Sequence, residues 1–384
     1  MRVALALLLC CACRTPARPP PPSEDELDFH RRALVVDTHS DVTEAVRYEQ
    51  YDLGVLHQDH HQDIPRMRQG GLSAEFLSIF VQPGRFRAEQ FFDEAQTQID
   101  AVRKAVAAHP AELALARTAR EVRDNARRGL ISVLLGVEGA HMLLPGTEEE
   151  QLDHLRVFAF QGVRYLTLTW ASSNPVGGSS GDDGETQGLT GLGRRVIAEM
   201  EKLGVMVDLA HASDPLFWDA LRAVTKPVLV SHSSSRALAN HPRNLTDAQL
   251  KAVARNGGAV CVNFSRGFLD DDFRKAALPV ANRTRDLRTS DRRKAFQAAN
   301  LPDVPVSRLI DHIEHMVAVA GADHVCLGSD FDGVPMVPSG LEDVSKLPVI
   351  TSELLRRGMP RPDIEKVLGL NVLRVLEATE VRTK

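Results

Sequence analysis

Cysteine, long apolar runs and excess charge of one sign are all scarce in this chain of 384 residues. Of five cysteines, Cys10, Cys11 and Cys13 crowd the N-terminus, and only Cys261 and Cys326 lie in the body of the sequence. These two stand alone in the apolar runs AVCVNF and HVCLGSD. Isolated cysteines of this kind read as small buried hydrophobes, so neither a disulfide framework nor a CxxC metal clip is expected. A formal net charge of −5 gives no general attraction to nucleic acid. The most basic stretch, Arg283 to Lys294, is interrupted by Asp286 and Asp291 and reads as a solvated helix face, so no nucleic-acid partner is expected. A G-x-S-x-G elbow, a phosphate-binding glycine loop before a helix and an internal repeat are all missing, which argues against serine-triad and nucleotide chemistry.

The apolar stretch Val3–Ala12 is too short to span a bilayer. With Arg2 before it and small or cysteine residues after it, residues 1–13 read as an export signal. A cysteine just after the apolar core, Cys13 following Ala12, resembles a bacterial lipoprotein signal. Cys10 and Cys11 stand where such signals carry aliphatic or small residues, and a plain secretory signal is the alternative. The chain is therefore expected at the cell envelope as a membrane-anchored lipoprotein, or else periplasmic or secreted, touching membrane only through that lipid. Residues 14–28 are proline-rich and read as a tether. The polar C-terminus EVRTK excludes a glycolipid-anchor tail.

From residue 29 to 384 the pattern predicts one domain. Short aliphatic runs at Ala33–Asp37, Ala74–Val81, Ser132–Val137, Tyr165–Thr169, Met206–Ala210, Val228–Ser231, Ala259–Asn263 and His324–Gly328 alternate with amphipathic stretches. Eight strands each followed by helix predict an α/β fold, the (β/α)8 TIM-type barrel. Two long insertions, 172–190 and 268–306, follow the fourth and seventh expected strands, where a substrate wall and plain surface decoration are both open readings.

Five of the eight expected strands discharge into polar residues at their carboxyl ends: Asp37-Thr38-His39-Ser40-Asp41, Glu138-Gly139, Ala210-His211, Ser231-His232 and Ser329-Asp330. In a barrel those ends share one mouth. Three imidazoles and two or three carboxylates, with no cysteine, suit a zinc-type hydrolytic site. His39 and Asp41 point the same way from an extended chain and can grip one metal. His211 and His232, on neighbouring strands, can grip a second. Glu138 can bridge two ions about 3.5–4 Å apart, the spacing at which a shared water ionises near neutral pH. His141 reads as structural, His241 as a turn residue, and His57, His60 and His61 as a solvated loop rather than a further metal patch.

The stretches VVDTHSD, GVEGAH, RYLTLT, GVMVDLAHAS, VSHSSSRAL, RNLTD and GSDFDGVPMVPSGLEDVSKLP resemble the membrane dipeptidases of the renal type, peptidase family M19, across residues 30–378. The resemblance implies two zinc ions per chain, His39 and Asp41 on one, His211 and His232 on the other, with Glu138 between them and catalytic. It further implies that Arg243 holds the substrate carboxylate and that Asp330 shuttles a proton, with a dipeptide as substrate; a homodimer is compatible with it. Asp330 could equally hold the substrate's amino group. One departure stands out: where the renal type has a substrate-binding histidine, this chain has Trp170 after Thr167-Leu168-Thr169. Indole only donates and does not titrate, so the substrate half of the site is expected to differ. The renal type's disulfide cysteines are missing as well. Two other readings remain: a same-scaffold hydrolase of N-acyl amino acids, β-lactams or D-amino-acid wall fragments, and a binding module without catalysis.

Overall fold

The computed structural model describes residues 20–182, 187–285 and 287–381. The expected export signal and the start of the tether lie outside the described residues. Within the later part of the tether, a helix over Glu24–Arg32 begins at a capping box formed by Ser23 and Glu26. Arg356 donates to the carbonyls of Pro20 and Pro21 just before it. Ordered structure therefore starts ahead of residue 29. Among the described residues no helix is long and apolar enough to cross a membrane.

Nine parallel strands follow: β1 (Val35–Ser40), β2 (Leu72–Ile79), β3 (Leu113–Leu115), β4 (Ile131–Glu138), β5 (Val163–Thr167), β6 (Met206–Asp208), β7 (Leu229–Ser233), β8 (Ala259–Val262) and β9 (Val325–Leu327). Pairing of β2 with both β1 and β4 closes eight of them into the expected barrel. The ninth, β3, was not foreseen because three residues (LAL) carry no periodicity. It pairs with the first half of β4, before β5 takes over that edge from Leu135 onward. Helices cover the outside, so strands such as β1, β4 and β7 are buried along their whole length, which is why they read as unbroken apolar runs.

Side chains of Val36, Phe76, Leu134, Tyr165, Met206 and Leu229 fill the inside of the barrel. Cys261 and Cys326 belong to the same interior layer, and there the expectation of two separate thiols fails. They are register partners on β8 and β9, and their sulfurs form a disulfide. A separation of 65 residues gave no hint of this contact; only barrel closure makes the two strands neighbours.

One glycine sets the level of the interior. A Cβ on Gly136 would stand 1.9 Å from Cζ of Tyr165, so only a bare Cα lets that fully buried ring cross β4. Gly136→Ala is expected to destabilise the fold by about 2 kcal/mol through overpacking. The measure is a lower urea midpoint at unchanged slope; an unmoved midpoint would show that the ring has room to shift.

Candidate metal centre

All eight side chains singled out in the sequence meet at the carboxyl mouth of the barrel. His39 comes at the end of β1 with no exposed surface. Its Nδ1 lies 2.8 Å from the hydroxyl of Tyr165, the ring that Gly136 admits. Its Nε2 lies 3.5 Å from Asp41 and 3.7 Å from Glu138. Glu138 ends β4, and its Oε1 is 2.9 Å from His211 Nε2 and 3.4 Å from His232 Nε2. The two histidine Nε2 atoms are 3.0 Å apart. A second set of potential donors, from His39, Asp41 and Asp330, falls within 4.8 Å of one another.

Local backbone geometry aims these groups. His211, Asp330 and Asp332 adopt left-handed φ values of 65°, 61° and 65°. They are three of the four non-glycine residues in that region among the described residues, and such conformations cluster where a site constrains the chain. Beside them, a Cβ on Gly333 would lie 2.0 Å from an Asp41 oxygen and 2.1 Å from one of Asp330. Glycine thus leaves the space in which the two carboxylates face each other.

Two aspartates missed in the sequence reading hold the imidazoles in place. Asp208 accepts from the hydroxyls of Thr167 (2.6 Å) and Ser231 (2.7 Å) and from the amides of Ala210 and Ser231. Ser231 Oγ in turn lies 2.8 Å from His232 Nδ1. Asp37 accepts from the amides of Ser329 and His39, tying β1 to the segment that carries Asp330. The shared pattern of a strand-end Asp a few residues before a His (Asp37-x-His39, Asp208-x-x-His211) was the available signal.

The electrostatics favour positive charge at the centre. Burial opposes a charged His39, yet Glu138, Asp41 and Asp330 outweigh it and raise its pKa to about 10. Burial pushes Glu138 well above the usual carboxylate range and Asp330 up to about 7, with Asp41 adding to the effect. His211 and His232 are driven well below the usual histidine value by burial, with Arg243 and His39 adding like charge. His39 Nε2 is buried with no hydrogen-bond partner, while its Nδ1 is engaged, as expected of a metal-binding imidazole. Nitrogen and carboxylate donors at these separations fit a divalent cation of the zinc type.

Above the centre opens a pocket of about 460 Å³. Arg243 lines it, its Nη2 donating to the carbonyl of His232 at 3.3 Å. Burial lowers its pKa to about 10 against the pull of Asp330 and Glu138. Trp170 forms part of the wall, its ring centroid 4.6 Å from Phe80 and 6.5 Å from His211. The 268–306 insertion supplies the opposite wall through Phe273, Leu278, Arg292 and Phe296. Its helices span Asp271–Thr284 and Thr289–Gln297.

Three lesser expectations fare differently. His141 is structural, its Nε2 donating to the carbonyl of Val81, and His241 Nδ1 accepts from the amide of Arg243. The histidine loop is solvated only in part: His57 lies half-buried in an exposed stretch, but His60 and His61 are buried against Asp332. Arg293 of the insertion joins them, 2.8 Å from the same carboxylate. That contact also corrects the reading of Arg283–Lys294 as a solvated face, since Arg292 lines the pocket and Arg293 is buried. Both surprises have one cause, an ion pair between segments 39 residues apart in sequence.

The family model described as membrane dipeptidase (peptidase family M19) matches residues 24–384. A dipeptidase of Schizosaccharomyces pombe is 36% identical over 377 residues, covering 91% of this chain and 82% of that protein. A dipeptidase of Clonostachys rogersoniana is 34% identical over 332 residues, covering 83% and 76%. A metallopeptidase structure from Rhodobacter sphaeroides, bound to a phosphinate mimic of L-Ala-D-Ala, superposes with a TM-score of 0.77 at 28% identity, covering 91% of this chain and 99% of that one.

The Arg293–Asp332 pair links the pocket wall to the turn bearing Asp330, with side chains 7% and 3% exposed. Arg293→Ala leaves a buried carboxylate facing His60 and His61 alone, and a stability loss of about 3 kcal/mol is expected. Limited proteolysis should cut first within 271–297; a cleavage pattern like that of the parent would reject the clamp.

Proposed function

The chain belongs to the membrane dipeptidase family, peptidase family M19, and is a peptide-bond hydrolase; we propose that it cleaves free dipeptides at a centre of two zinc ions. The observation that carries this is the convergence of His39, His211 and His232 on Glu138 within 2.9–3.7 Å. In this reading His39 and Asp41 would hold one ion and His211 and His232 the other, with Glu138 available to both. Two zinc ions there would acidify a shared water and polarise the scissile carbonyl.

The chain's own side chains do the rest. Arg243 offers its guanidinium to the free α-carboxylate, a match in shape and charge. Asp330, facing the centre beside His39 and Asp41, is suited to take a proton from the attacking water and pass it to the departing amine. Asn263 keeps that carboxylate oriented, donating to its Oδ2 at 2.8 Å. Trp170 presents an apolar ring beside His211, so this wall limits water without offering a titratable group. The Rhodobacter relative's L-Ala-D-Ala mimic makes L,D-dipeptides part of the substrate range to be assayed here.

Elemental analysis of the purified chain should return about two zinc ions per molecule. Glu138→Gln should lower both zinc content and kcat/KM, the latter by about a thousandfold or more; full zinc with near-normal turnover would reject Glu138 as the shared ligand. Arg243→Ala is expected to raise KM for dipeptides by about tenfold or more with zinc retained. Loss of metal in that variant would overturn the division between metal-holding and substrate-holding residues.

A further inference from the structure

Resting on the reading of the pocket as a dipeptide site, the charges around it leave a part-buried cation of the wall without a partner. A zwitterionic dipeptide brings one carboxylate, for which Arg243 is assigned, and one ammonium. Arg292 lines the same pocket, from the helix over Thr289–Gln297. Its Nε is buried and has no hydrogen-bond partner, and among the described residues its guanidinium forms no ion pair.

Several neighbouring charges are already engaged. Arg293, the next residue, is neutralised by Asp332 at 2.8 Å. Arg274 pairs with Asp271 at 3.1 Å, and Glu44 is taken by Arg85 at 2.8 Å. Asp330 exerts an electrostatic pull on Arg292 but is hydrogen-bonded to Asn263. The wall beside Arg292 is apolar, with Phe273, Leu278 and Phe296. A guanidinium facing such a wall costs free energy unless an anion meets it. At about 460 Å³ the pocket also has room beyond two alanine residues.

We propose that Arg292 is a specificity-determining residue that selects dipeptides carrying a second carboxylate on a side chain. The acid can come from either residue of the dipeptide, and the substrates tested separate the two. Arg285, exposed at the rim of the same pocket, adds like charge on the path inward.

The test uses the zinc-loaded full chain and compares Glu-Ala with Gln-Ala, and Ala-Glu with Ala-Gln, with Ala-Ala as reference. One acidic dipeptide should exceed its amide twin by at least about tenfold in kcat/KM, mostly through KM. Arg292→Gln should bring that ratio close to one, while Arg292→Lys keeps part of it. Equal rates on both twins in the parent chain would overturn the proposal, even if no variant folds. So would an Arg292→Gln chain of normal zinc content that keeps the preference. Cleavage of Ala-Ala without any acidic preference would leave the dipeptidase reading standing and remove only the role of Arg292. Cleavage of none of the five would remove both.

Discussion

Glu138, Asp41 and Asp330 bring three carboxylates onto one poorly hydrated pocket floor, an arrangement that repels itself unless positive charge sits among them. Much of the architecture follows from that constraint. The mouth of a closed barrel is rigid enough to hold the groups at 3–4 Å, and it is fed by several strands, so no single loop bears the strain. His39 shows the strength of the field: although wholly buried, it is pushed to about 10 by the surrounding carboxylates. The same field that binds a proton there would bind a divalent cation in its place.

Rigidity is supplied one layer further out. Tyr165, Asp208 and Asp37 fix the imidazoles and the strand ends through short hydrogen bonds. Each of these lies in the barrel interior, where competing water is scarce and a hydrogen bond holds direction well. Gly136 and Gly333 contribute by what they omit, leaving space for a ring and for two facing carboxylates.

The barrel and the cluster of residues at its mouth were legible in the sequence because both depend on local patterns. An apolar run covered by helices on one side and a packed interior on the other has no polar alternation, and its polar residues are displaced to its end. His39, Glu138, His211 and His232 all announce themselves that way. What escaped were contacts that exist only once the barrel closes. The Cys261–Cys326 bond joins strands that are neighbours solely through topology, and the burial of His60 and His61 depends on Arg293 arriving from a distant insertion. A run rich in arginine and aspartate looks solvated from composition alone; which arginines turn inward is decided by partners that spacing does not reveal. The short β3 was invisible for a different reason, since three residues hold less than two periods of a strand.

Arg292 and Arg293 sit side by side on one helix, and successive helical positions point about 100° apart. One faces the pocket and the other the Asp332 lock, so the phase of that single turn decides which arginine does which. An insertion or deletion earlier in the 268–306 segment that keeps Arg293 on Asp332 therefore keeps Arg292 on the pocket as well, because the helix fixes their relative phase. Length variation ahead of this helix can be taken up in the turn before it, while both arginines and the residues at the barrel mouth keep their places.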